Sequence, residues 1–221
     1  IAEQQEEKKD LRKAMIFLGG YGISNAMSVK IYKQYQQEVY DVIRTNPYQL
    51  ADEVTGIGLR KADEIAHNAG LAPNSDFRIK SCIVYVLMKA AGEGNVFLPE
   101  KVLTETVLET LRPTTVDGVC EIERSDVDRC VMDLAIDGRV IVKEKEDERE
   151  IYYSSYYYTE LNIARMLVDL DLPVRVGENV IAHRIEEVEA SSGLVLDDMQ
   201  KEAIASAVNS GVLVITGGPG T

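Results

Sequence analysis

The stretch GIGLRKADEIA at residues 56–66 repeats, in altered form, the stretch GISNAMSVKIY at residues 22–32. Both begin with Gly-Ile and a small residue, and both carry an isoleucine nine residues after the first glycine, Ile31 and Ile65. A helical pattern ends before each glycine, the glycine turn permits a positive φ, and a second helical pattern begins after it. The sequence therefore predicts two copies, 34 residues apart, of a pair of helices joined by a glycine turn.

The two glycine turns indicate phosphate binding. Amide N–H groups at the start of a helix lack a partner within the helix, and the helix dipole favours an anion there. The second copy adds Arg60 and Lys61 to the first turn of its second helix. This pattern is typical of a helix-hairpin-helix, which holds a DNA backbone without reading bases. The alternative is a plain pair of antiparallel helices without a ligand. The residues predicted to contact DNA are Gly22, Ser24, Gly56, Gly58, Arg60 and Lys61.

The charge of the chain is unevenly distributed. The net charge of −13 argues against a protein that coats nucleic acid by bulk electrostatics. Between residues 20 and 80, however, seven basic side chains balance seven acidic ones, so the whole acidic excess lies elsewhere. A neutral segment in an acidic chain is a weak indication of a partner that carries phosphates.

Cysteine and histidine usage excludes several kinds of site. Cys82, Cys120 and Cys130 form no CxxC pair, which favours free thiols in a reducing cytoplasm over disulfides or zinc. His67 and His183 are the only histidines, and neither has a metal or triad partner nearby in sequence. We therefore expect no metal site and no Ser-His or Cys-His catalysis in this chain. No run of about 18 apolar residues exists, so no membrane partner is expected.

Residues 76–158 predict a winged-helix-like domain: a helix, the short strand VFLP, two more helices and a β-hairpin. Ser125 is the predicted N-cap of the third helix of this domain, and Asn46 that of a short helix between the two glycine turns. The hairpin tip KEKEDERE is net acidic, so a structural or partner-facing role is favoured over DNA binding.

Five of the eleven tyrosines fall at the end of this hairpin and just after it. Their rings could stack on bases or pack a junction between domains, and the long helix predicted from Thr159 to Leu170 favours the junction. The five are Tyr152, Tyr153, Tyr156, Tyr157 and Tyr158.

The last residues resemble the start of a nucleotide site. The apolar run VLVIT, residues 212–216, predicts a central parallel strand, and GGPGT fits the first five positions of the P-loop pattern G-x-x-x-x-G-K-[ST]. Gln200 lies 17 residues before Gly217, on a helix that begins near Asp197, and its amide could pair with an adenine edge. The predicted nucleotide-binding residues are Gln200, Gly217, Gly218, Pro219, Gly220 and Thr221.

Three segments together resemble one protein family: NPYQLADEVTGIGLRKADEIA, LDDMQKEAIASAV and TGGPGT, at residues 46–66, 196–208 and 216–221. The combination resembles the RecD-like DNA helicases, which are related to the alpha subunit of exodeoxyribonuclease V. The resemblance implies a superfamily 1 motor that moves 5′ to 3′ on single-stranded DNA with ATP and Mg²⁺. It implies a bacterial cytoplasmic protein, acting alone or in a nuclease complex. The chain would be the accessory N-terminal region and the first strand of the motor, ending within the P-loop, with no catalytic residue of its own.

These observations predict a mainly α fold with a short α/β segment at its end. We expect a tandem helix-hairpin-helix region at 1–75 and the winged-helix-like domain at 76–158. A helical linker at 159–193 and the start of a P-loop motor domain at 194–221 are expected to follow. The alternative from another functional class is a non-enzymatic DNA-binding or scaffolding module in which GGPGT has no role.

Overall fold

The computed structural model describes residues 2–112, 122–146, 148–170 and 175–217. The fold is mainly helical with one small sheet, which confirms the predicted class in outline. By contacts the chain divides into two compact units, Ile1–Tyr157 and Tyr158–Thr221. None of the described helices is both long and apolar enough to cross a bilayer.

The first part of unit one contains the two predicted helix pairs. A 3-10 turn, Gln36–Glu38, connects the second and third helices. The helices are α1 (Ala2–Gly20), α2 (Asn25–Tyr35), α3 (Val39–Thr45), α4 (Gln49–Glu53) and α5 (Leu59–Asn68).

The repeated positions have the same structural roles in both copies. Gly22 and Gly56 have φ of 76° and 103°, a region that L-residues rarely adopt. Ile31 and Ile65 are fully buried, and the isoleucines that follow the two glycines, Ile23 and Ile57, are each 5% exposed. All four isoleucines belong to one hydrophobic cluster together with Leu18, Val39 and Leu50. The repeat therefore builds a single core shared by the two hairpins.

The rest of unit one confirms the predicted order of elements. α6 (Asp76–Gly92) leads to β1 (Phe97–Pro99), and α7 (Glu100–Leu111), α8 (Arg124–Ile136), β2 (Val140–Glu144) and β3 (Arg149–Tyr153) follow. The strands form an antiparallel sheet in the order β1-β3-β2, with Leu98 and Val142 both opposite Ile151. Leu98, Val142 and Ile151 pack against the three helices in a second cluster with Ile83, Val107 and Leu134.

Two predicted helix caps were wrong. Glu123, not Ser125, is the N-cap of α8, because its carboxylate forms a reciprocal capping box with Asp126. Asn46 does not cap α4. The amide of Gln49 donates to the Asn46 carbonyl at 3.2 Å in a tight turn, and the helix begins only at Gln49.

The hairpins and the winged-helix-like elements α6–β3 share α5. Ile65 of α5 belongs to the hairpin cluster, whereas Leu59, Ala62 and Ala66 on the same helix pack into the second cluster. A buried ion pair reinforces this junction: Arg78 of α6 donates to both carboxylate oxygens of Asp63, at 2.8 and 3.1 Å. The hairpins and the winged-helix-like elements are therefore joined by the apolar contacts of α5 and by the Arg78–Asp63 ion pair.

Unit two contains α10 (Glu178–Ser192) and α11 (Asp198–Asn209), preceded by most of α9 (Ser154–Asp169). Within α10 and α11 only Ile181 and Ile185 are buried. Residues 212–216 were expected to form a strand, but from Leu213 to Gly217 the chain forms neither helix nor strand. A strand is stabilised by pairing with a neighbour, and the described strands all lie in unit one.

Candidate nucleic-acid interface

The turn of the second hairpin is shaped by two glycines with different roles. Gly56 has a φ of 103°, and a Cβ there would lie 3.1 Å from Cε of Met27 on α2. Gly58 is the N-cap of α5 in an extended conformation, with no side chain to cap the helix. The Lys61 amide donates to the Gly58 carbonyl at 3.0 Å, so the amides of Leu59 and Arg60 are the ones suited to an external anion.

The turn of the first hairpin differs at one position. Ser24, which corresponds to Gly58, is the N-cap of α2, and its Oγ accepts a hydrogen bond from the Met27 amide at 3.4 Å. Its carbonyl accepts another from the Ser28 amide at 2.8 Å. The Ser24 hydroxyl therefore competes for an amide that an anion could otherwise use. The equivalent amide in the second turn, that of Lys61, donates to the Gly58 carbonyl at 3.0 Å, so this position is occupied in both turns and only the acceptor differs.

The two turns lie beside each other because each packs on a helix of the other hairpin. Asn68 of α5 donates from Nδ2 to the Tyr21 carbonyl in the first turn at 3.3 Å. A Cβ on Gly22 would lie 3.9 Å from both Asn68 Nδ2 and Lys61 Nζ. In return, Met27 of α2 contacts the second turn at Gly56. The structure thus brings Gly22, Gly56 and Lys61 to one surface.

The two cations of α5 are placed differently. Arg60 is exposed, whereas Lys61 forms an ion pair with Glu64, Nζ to Oε2, at 2.7 Å. The hydrogen bond from Lys61 lowers the pKa of the Glu64 carboxyl, so Glu64 is anionic at neutral pH. Sequence reasoning missed Glu64, although a Lys–Glu spacing of three residues on a helix is a recognised signal for such a pair.

Many of the described cations of the winged-helix-like region are paired with carboxylates. On α8, Arg129 binds Asp76 at 2.6 and 2.9 Å, and Arg124 lies 3.1 Å from Glu105. Other described ion pairs of this region join Lys80 with Asp133, Arg139 with Asp52, Lys145 with Glu150 and Arg149 with Glu100. A phosphate would have to displace a carboxylate from each of these cations, which supports the partner-facing interpretation of the hairpin tip.

Four of the five clustered tyrosines contact another aromatic ring. Tyr152 is 6% exposed and packs against Phe97 and Tyr157, with centroids 5.1 and 5.3 Å away. Tyr153 packs against Tyr156 at 6.0 Å. Tyr158 is exposed. These contacts support the packing alternative over a surface for base stacking, because stacking requires an accessible ring face.

The predicted nucleotide residues lie in unit two. Gln200 is engaged in a capping box at the start of α11: its side-chain Oε1 accepts from the Asp197 backbone N–H at 3.1 Å, and its own backbone N–H donates to Asp197 Oδ1 at 2.9 Å. Gly217 is exposed. Gly218, Pro219, Gly220 and Thr221 lie outside the described residues, as does Cys120. Because Oε1 already accepts the capping hydrogen bond, an adenine contact through the carbonyl and NH2 of this side chain would have to share or replace that bond.

Comparison with known families gives one match. Residues 7–97 match the family described as the ATP-dependent RecD2 DNA helicase HHH domain. The matched segment contains both glycine turns and α5, and it continues through α6 to the first residue of β1. It covers somewhat less than half of the chain. The match supports a RecD-like helicase and a helix-hairpin-helix DNA-binding region at the N-terminal end.

Proposed function

We propose that this chain is the accessory N-terminal region of an ATP-dependent 5′-to-3′ DNA helicase, in which the tandem hairpins hold the DNA backbone. The observation that carries the proposal is the surface formed by the two turns within the segment that resembles the RecD2 HHH domain. Two backbone turns with positive φ, helix N-termini beside them and the exposed Arg60 provide N–H donors and charge suited to phosphates.

The remaining parts of the proposal rest on sequence. ATP and Mg²⁺ would be bound by a P-loop that includes Gly217 to Thr221, with Gln200 contacting the adenine. The winged-helix-like region would act as a rigid joint and a docking surface for protein rather than for DNA. A DNA motor of this class would act in the bacterial cytoplasm.

The central test is DNA binding by the 221-residue chain. Fluorescence anisotropy with a labelled single strand and a labelled fork should show binding that weakens as salt is raised, because phosphate contacts release counterions. Arg60→Ala should weaken binding on both DNAs and reduce the slope of log K against log salt by about one. Lys101→Ala, an exposed lysine on α7, is the matched control and should leave binding unchanged.

The test also separates the proposal from its rival. Salt-insensitive binding, or equal effects of Arg60→Ala and Lys101→Ala, would contradict a backbone-binding role for the second turn. The scaffolding alternative would then be preferred, with the paired cations of α8 and the hairpin tip as its structural support.

A further inference from the structure

Lys61 belongs to the second hairpin in sequence, but its ammonium group lies beside the turn of the first. The Lys61 Nζ atom is 3.9 Å from the position that a Cβ on Gly22 would occupy. Asn68, two helical turns further along α5, donates to the Tyr21 carbonyl in the same turn. One face of α5 therefore lies across the first turn, and the Lys61 cation is available to an anion held there.

The partner that Lys61 has in this structure is exchangeable. The Lys61 and Glu64 side chains are 39% and 53% exposed, and their ion pair joins residues three apart on one helix. Pairs of this kind are only weakly stabilising, because both charges remain hydrated. A DNA phosphate offers the ammonium group the same type of anionic acceptor oxygen as the Glu64 carboxylate. The neighbouring phosphates of the DNA would add to the attraction of the Lys61 cation. Glu64 and a phosphate are thus alternative partners for one cation.

We infer that Lys61 supplies the cation for the phosphate bound at the first hairpin turn, and that Glu64 limits DNA affinity by competing with that phosphate for Lys61. The inference rests on the proposed function. It gives each turn one cation from α5: Lys61 lies beside the first turn, where the Ser24 hydroxyl accepts from the Met27 amide, and Arg60 lies at the second, where the Gly58 carbonyl accepts from the Lys61 amide. The two turns then act as one site on a stretch of backbone.

The test is a double-mutant cycle on Lys61 and Glu64, read by anisotropy on the same labelled DNAs. Glu64→Gln should tighten binding by roughly two- to five-fold, because the competing charge of an exposed pair is removed. Lys61→Ala should weaken binding and lower the salt slope by about one. In the Lys61→Ala background, Glu64→Gln should change affinity by less than about 1.5-fold, because little competition remains. Glu109→Gln, an exposed glutamate on α7, controls for net charge.

A further variant tests which turn Lys61 serves. Ser24→Asp retains a good N-cap but places a carboxylate at the first turn, where it should repel phosphate. If Lys61 serves that turn, the effects of Ser24→Asp and Lys61→Ala should be less than additive, whereas those of Ser24→Asp and Arg60→Ala should add. Additive effects in both pairs, or an equal gain from Glu64→Gln with and without Lys61, would overturn the inference. An unaltered chain without salt-sensitive binding would instead overturn the proposed function.

Discussion

Replacing Arg78 with methionine should strongly destabilise unit one. Arg78 is 2% exposed. Its guanidinium donates to Asp63 through Nε and Nη2, to the Pro73 carbonyl at 2.9 Å, and to the Leu111 carbonyl at 3.5 Å. Asp63 also accepts from the Tyr48 hydroxyl at 2.8 Å, and burial beside that carboxylate raises the pKa of Tyr48. Arg78→Met keeps most of the apolar stem but leaves the Asp63 carboxylate with only the Tyr48 hydroxyl.

The expected loss of folding stability follows from leaving the Asp63 carboxylate without its cationic partner. Removing one partner of a buried ion pair typically costs about 3–5 kcal/mol, out of a total stability of about 5–15 kcal/mol for a domain. With an m-value of about 2 kcal/mol per molar urea, the unfolding midpoint should fall by roughly 1.5–2.5 M. The chain has no tryptophan and eleven tyrosines, so tyrosine fluorescence and far-UV circular dichroism are the suitable probes.

A double variant distinguishes an isolated charge from simple loss of packing. Arg78→Met with Asp63→Leu removes both charges, and replacing a buried pair by apolar groups is often close to neutral. The double variant should therefore be more stable than Arg78→Met alone, and Lys101→Ala should match the unaltered chain. A cost below about 1 kcal/mol for Arg78→Met, or a double variant no more stable than the single one, would refute this account of the junction.

Three other predictions follow from local geometry and sequence. Gly56→Ala should destabilise the chain by about 1–3 kcal/mol in urea unfolding, mainly through backbone strain. Gly94 has a similar φ of 97° and open space around it. Gly94→Ala should therefore lower the free energy of unfolding by an amount within about 1 kcal/mol of that for Gly56→Ala, because the close contact at Gly56 is only with the flexible end of a methionine. In a Cys120→Ser background, Cys82 and Cys130 should react with a thiol reagent at pH 8 only on unfolding, because burial raises their pKa to about 12 and about 11. The purified 221-residue chain should show no Mg²⁺-dependent ATP hydrolysis in a phosphate-release assay, because it lacks the Lys and Ser/Thr of the P-loop pattern, and measurable turnover would refute this prediction.

The sequence was informative where a local rule decides the structure. A 34-residue repeat of glycine followed by buried isoleucine predicted both turns, since a positive φ and a helical apolar period each leave a direct mark on the sequence. The Asp197 cap of α11 was found for the same reason. In each case the partners lie within a few residues of each other.

Features that depend on distant partners could not be predicted in this way. Asp63 and Arg78 are 15 residues apart, and nothing in their spacing shows that both are buried against one another. The proximity of Lys61 to the first turn depends on how the two hairpins pack. For α8, Ser125 is of a type preferred at N-caps, and only the reciprocal bond between Glu123 and Asp126 in the structure shows that Glu123 is the cap.

The position of α5 between two apolar clusters has a consequence for how such regions can be rearranged in evolution. A chain cut at residue 75 would retain Leu59, Ala62 and Ala66 but lose α6, which packs against α5 in the same cluster. The hairpins are therefore not an independent folding unit, and a fusion protein that uses them would have to include the helices that follow as well. Exchange between homologues is easier at exposed positions such as Arg60, where the binding properties can change without disturbing the junction.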